Sequence, residues 1–126
     1  MNAEGYQVPR GLVAECKTRL LQAKADLLMR ARSTQNEFKT FDRGSDEADQ
    51  SMAHMAEHEF LSKQERIKIQ LLEIELALAK VEEGRYGICE ETDEPIETER
   101  LKALPWTRVS IEGAEIREAT QKRFAK

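Results

Sequence analysis

The sequence predicts an all-α chain: an antiparallel coiled-coil hairpin with a small degenerate zinc-finger-like base and a C-terminal helix. Three observations carry that expectation. Two long stretches repeat apolar or small residues at alternating spacings of three and four, the signature of a helical seam. A short polar link with Gly44 and Ser45 separates them. A segment with the layout of a four-cysteine finger follows, with most of its ligand slots replaced.

The first seam runs through Val13, Cys16, Leu20, Ala23 and Leu27 after Pro9, and predicts one helix from about residue 10 to 39. The link KTFDRGS breaks it. The second seam comprises Phe60, Ile67, Leu71, Ile74, Leu78 and Val81 and ends at Gly84, a natural C-terminal cap. At ~1.5 Å per residue the helices are roughly 45 and 55 Å long, and the short link folds them back on each other. Ile69, Leu72 and Leu76 lie off the seam and are expected to pack against the C-terminal module. From Tyr86 to Trp106, Pro95 and Pro105 leave room for no more than a short hairpin or helical turn. Ile111, Ala114, Ile116 and Ala119 predict a last helix from about Ser110 to Phe124. The expected organisation is a tail at 1–9, a hairpin at 10–84 with its tip at about 40–51, and a finger-like module with its helix at 85–126.

Composition narrows the function. Charged residues make up 35% of the 126 and aromatics 6%, a balance suited to long solvated helices rather than a large core. A net charge of −4 argues against a nonspecific grip on DNA or on an anionic membrane. No stretch approaches the ~20 apolar residues that span a bilayer. The two cysteines do not form a disulfide framework, so a reducing cytoplasm is expected.

A four-cysteine finger reads C-x2-C, a spacer of roughly 15–20 residues, and C-x2-C again. Here the slots fall on Cys89, Thr92, Ser110 and Gly113. One thiolate cannot hold a structural Zn²⁺, which takes four N or S ligands, so neither metal nor cofactor is expected. Structural zinc contributes on the order of 10 kcal/mol to such modules, and something must replace part of it. The expected substitute is a mini-core of Tyr86, Ile88, Ile96, Leu101, Leu104, Trp106, Val109 and Ile111, with Thr92 and Ser110 hydrogen-bonding where sulfur would meet metal. Glu90 and Glu91 are expected to raise the Cys89 pKa, which favours a buried small residue over a redox thiol. Cys16 falls in the first seam as a packing residue.

His54-Met-Ala-Glu57-His58 matches the inverted zinc-protease pattern H-x2-E-H. A catalytic site also needs a third ligand and a walled cleft, which a coiled coil does not offer, so solvated helix faces explain these residues better. Met52, Met55 and Phe60 are expected on the buried side. No enzyme is expected. The tip carboxylates also have two readings. They are reach-in groups on a narrow hairpin, or Ser45 caps the second helix while Asp46, Glu47 and Asp49 favour its positive N-terminal end by ~0.3–1 kcal/mol each.

A helical hairpin followed by YG-x-C-x2, a proline-containing turn, ERL-x-A-x-P and a terminal helix resembles the DksA/TraR family. The matching residues are Tyr86, Gly87, Cys89, Ile96, Arg100, Leu101, Ala103, Pro105 and the run Glu115, Ile116, Arg117, Glu118. The resemblance covers roughly residues 12–120. It implies a cytoplasmic regulator that binds bacterial RNA polymerase, inserts its hairpin through the secondary channel and acts in the stringent response, often with ppGpp. The family's tip motif D-x2-D-x-A falls on Asp46, Asp49 and Ser51, with serine in place of alanine. Arg66 and Lys68 are candidate contacts at the channel rim. Positions where the family places basic residues around ppGpp are Glu73, Leu104 and Ala114 here, which implies weak or absent ppGpp dependence. The leading expectation is a zinc-independent, monomeric polymerase-binding regulator without sequence-specific DNA binding of its own. The alternative is an adaptor coiled coil that keeps the fold without polymerase activity.

Overall fold

The structure, a computed structural model, describes residues 8–43 and 50–124. Asp46 and Asp49 lie outside the described residues. Four helices follow in order: α1 (Arg10–Arg43), α2 (Gln50–Glu83), α3 (Thr98–Ala103) and α4 (Ile111–Phe124). Among the described residues the only strand-like pairing is one antiparallel bridge, Ile88 to Pro95. Two compact units divide the chain: Gln22–Leu72, and Met1–Leu21 together with Glu73–Lys126.

In the unit Gln22–Leu72, stretches of α1 and α2 pair side by side. Gln64 Nε2 donates to the Ala31 carbonyl at 3.2 Å, and Phe38 stacks on Phe60 with ring centroids 4.5 Å apart. Partner numbers fall on α2 as they rise on α1, so the pairing is antiparallel. Leu27 and Ile67 are buried here, as their seam positions require. A two-helix layer has only one inner seam per helix, so residues off it stay wet. Met52 and Met55 are accordingly exposed, against expectation, and Phe60 reaches its partner only half-buried. Ile69 and Leu72 are exposed for the same reason. α1 also continues to Arg43, beyond the expected end near 39, because Lys39–Arg43 contains no residue that stops a helix.

The finger unit gathers the first turns of α1, the end of α2, α3 and α4. Val8, Leu12, Cys16 and Leu20 come from one side, Ile74 and Ala77 from α2, and Tyr86, Ile96, Leu101 and Val109 from the finger; all are buried. Leu20, Cys16, Ala77 and Leu101 have no exposed surface. The expected mini-core is corrected at two positions, since Trp106 is 38% and Ile111 52% exposed. Their places are taken by α1 residues, which the sequence offers at much greater separation. Leu76 is also half-exposed and does not join the core.

Local signals set the boundaries. The Pro9 carbonyl accepts from Val13 N at 3.0 Å and opens α1. α2 ends as its sequence demands: Gly84 takes φ 73°, its N–H donates to Val81 O at 3.2 Å, and Arg85 N donates to Lys80 O at 2.9 Å. That pair of bonds is a Schellman motif. α3 stops before Pro105, whose carbonyl accepts the Tyr86 hydroxyl at 2.8 Å. Burial, foremost, pushes the Tyr86 pKa far above its ordinary range, so the phenol stays protonated as that bond requires.

Candidate functional site

The finger slots lie on a tight knuckle. Cys89 N donates to Glu94 O at 2.8 Å, Asp93 N returns to Cys89 O at 2.9 Å, and Ile96 N donates to Gly87 O at 2.8 Å. Asp93 turns the chain with φ 60°, a conformation Asp and Asn tolerate better than most residues. Thr92 Oγ1 accepts from Glu94 N at 3.3 Å and closes the turn. The second pair of slots forms the start of α4. Ser110 caps the helix, its Oγ accepting from Gly113 N at 3.0 Å. The Glu97 carboxylate takes the Ile111 N–H at 3.2 Å.

The slots converge, although three of them cannot bind metal as a finger does. Ser110 Oγ donates to Cys89 Sγ at 3.4 Å. A β-carbon on Gly113 would collide with that same sulfur and lie 3.2 Å from Val109 Cβ. The Cys89 sulfur therefore fills the space into which a fourth ligand would project. One thiol, two neutral hydroxyls and a glycine do not make a structural zinc site. Among the described residues no group of three or more His, Cys, Asp or Glu side chains could hold a metal ion. The expected hydrogen bonds are present, Ser110 on the sulfur and Thr92 on both the sulfur and its own turn.

The expected sign of the Cys89 shift is corrected. Burial pushes the thiol up, but hydrogen bonds from Ser110 and Thr92 outweigh it and bring the pKa down from 9.0 to about 7. The neighbouring Glu90 does not oppose this, because its charge is spent elsewhere. Its Oε1 lies 2.7 Å from Arg108 Nη1 and 3.3 Å from Arg117 Nη2, and its Oε2 lies 3.2 Å from Lys80 Nζ. Burial raises the Glu90 pKa, but the bonds and charges of Arg108 and Lys80 hold it below its ordinary value. Arg117 also pairs with Glu91 at 2.8 Å, and Arg108 with Glu73 at 3.4 Å.

The other sequence candidates stand apart from this cluster. Ser51 is exposed on the first turn of α2. Arg66 and Lys68 are exposed on either side of buried Ile67. His54, Glu57 and His58 are exposed as well, on α2. Sequence reasoning missed the ion-pair cluster, whose bonded partners are up to 35 residues apart. One signal was available: Glu73 and Lys80 flank the buried Ala77 on the seam side of α2, where a charge needs a partner.

The comparisons agree with this geometry. A family model described as the prokaryotic dksA/traR C4-type zinc finger matches residues 84–119. The RNA polymerase-binding transcription factor DksA of Caulobacter vibrioides is 33% identical over 114 residues, covering 84% of this chain and 75% of that protein. The structure of transcription factor DksA2 from Pseudomonas aeruginosa superposes with a TM-score of 0.81 at 31% identity, over 90% of this chain and 88% of that one. A Chlamydia trachomatis RNA polymerase binding protein shares the fold, with a TM-score of 0.56 at 24% identity. No helix among the described residues is long and apolar enough to cross a membrane. By its finger framework, its helical architecture and its similarity to DksA along most of its length, the chain belongs to the DksA/TraR family.

Proposed function

We propose that this chain regulates bacterial transcription by binding RNA polymerase through the secondary channel, with the α1–α2 tip directed towards the active centre. The observation that supports this most is the similarity to DksA2, which runs through helices and finger alike rather than through the finger alone. In this reading Asp46, Asp49 and Ser51 form the acting tip, and Arg66 and Lys68 meet the channel rim. The role is that of a binding regulator, not an enzyme, and it operates in the cytoplasm where the polymerase is.

Two refinements follow from the finger unit. The fold is zinc-independent, because core packing and ion pairs surround the four slots without a ligand set. The response to ppGpp is weak or absent. Glu73 supplies a carboxylate to Arg108 where a tetraphosphate would need bases, and Leu104 and Ala114 offer it no charge.

Asp49→Asn tests the tip. The variant is expected to bind core polymerase with wild-type affinity and to lose most of the effect on promoter-complex lifetime in an in vitro transcription assay. Serine at position 51, in place of the family's alanine, favours a second reading, an adaptor that keeps the fold only. Under that reading wild type and Asp49→Asn are equally inert towards polymerase.

A further inference from the structure

We infer that Glu90 makes, with charges, the cross-link that a metal ion makes in a four-cysteine finger, tying the knuckle to α2 and to the start of α4. The inference rests on the zinc-independent reading and names what stands in for the metal. A finger metal joins a knuckle to a second segment just ahead of a helix. Glu90 sits one residue from the first slot and joins the same two segments. One carboxylate oxygen takes Arg108, two residues before the Ser110 slot, at 2.7 Å, and also Arg117 of α4 at 3.3 Å. The other takes Lys80 of α2 at 3.2 Å. The backbone doubles the first link, Glu90 N donating to Arg108 O at 2.9 Å.

The environment makes these more than surface pairs. The side chains of Glu90, Arg108 and Lys80 are 23%, 15% and 18% exposed, so solvent screens them only in part. Two cations carry the link onward: Arg108 reaches Glu73 of α2, and Arg117 reaches Glu91. Arg108 Nε is buried with no hydrogen-bond partner among the described residues, and the two carboxylates on its other nitrogens hold this guanidinium in place. A carboxylate cross-link and a metal cross-link respond oppositely to solution conditions. Salt weakens the first and leaves the second, whereas a chelator does the reverse.

The test is urea unfolding of the full chain, read by fluorescence of Trp106, the single tryptophan, which reports on the finger unit. Wild type, Glu90→Gln, Arg117→Gln and the double variant are compared at low salt and at about 0.5 M NaCl, where the screening length is ~4 Å. Wild type is also compared with and without a zinc chelator. Glu90→Gln is expected to lower the folding equilibrium constant about tenfold at low salt and to flatten the salt dependence. The double variant should lose less than the two single losses combined. Wild-type stability with an unchanged salt slope in Glu90→Gln overturns the cross-link while zinc independence stands. A loss of stability that leaves the salt slope intact also overturns it, since it assigns Glu90 a packing role only. Unfolding of wild type by chelator removes the zinc-free reading and this inference with it. Should Glu90→Gln not fold, the more exposed Arg117→Gln carries the same comparison of salt slopes.

Discussion

Gly87→Ala is expected to destabilise the finger unit by about 3 kcal/mol, two costs adding at one backbone position. Gly87 has φ 91°, which an L side chain rarely adopts. Its β-carbon would also strike Val8 Cγ2 and lie 3.5 Å from Leu101 Cδ1. Both neighbours are buried, so neither yields freely. Trp106-monitored urea unfolding measures the loss. Adding Val8→Ala removes the clash without changing φ, so part of the loss should return at that step. An unperturbed midpoint in Gly87→Ala would show that the knuckle does not sit against the start of α1 as described.

The second large effect is expected at Gly113, the last finger slot. Alanine for glycine inside an exposed helix normally stabilises by up to ~1 kcal/mol. Here the added methyl meets the Cys89 sulfur, itself without exposed surface and bonded to Ser110. Gly113→Ala should therefore cost about 2 kcal/mol as an overpacking change. The informative result is the pair. In a Cys89→Ala background the sulfur is gone, and Gly113→Ala should become neutral or stabilising. A Gly113→Ala variant as stable as wild type would mean the sulfur does not occupy the ligand space.

Much of this architecture was legible in the chain, for reasons that differ residue by residue. Leu20, Leu27, Ile67 and Ile74 are buried because an antiparallel pair buries the residues that repeat at three and four. Gly84 marks the end of α2 because only a residue tolerant of positive φ completes that cap. The finger slots were countable from Cys89, and Thr92 and Ser110 do engage its sulfur. What escaped depends on distance in sequence. Trp106 and Ile111 were expected inside, but α1 supplies Leu12, Cys16 and Leu20 to the finger core first. Met52, Met55, Ile69 and Leu72 are apolar yet exposed, because a two-helix layer has too little inner surface for them. The Cys89 shift was misjudged from its acidic neighbours, since burial raises it and the hydrogen bonds that outweigh burial come in part from Ser110, 21 residues away. No pattern in GRYGICEE announces that.

Competition for purified bacterial core RNA polymerase tests the account most directly. This chain is titrated against a labelled DksA protein whose finger does carry zinc. The displacement is then repeated with both the chain and its storage buffer treated with a zinc chelator that is removed before mixing. Displacement is expected at micromolar concentration or below, with the same curve after chelation. Absence of displacement would contradict polymerase binding and put the adaptor reading first, and displacement abolished by chelation would contradict a zinc-free finger.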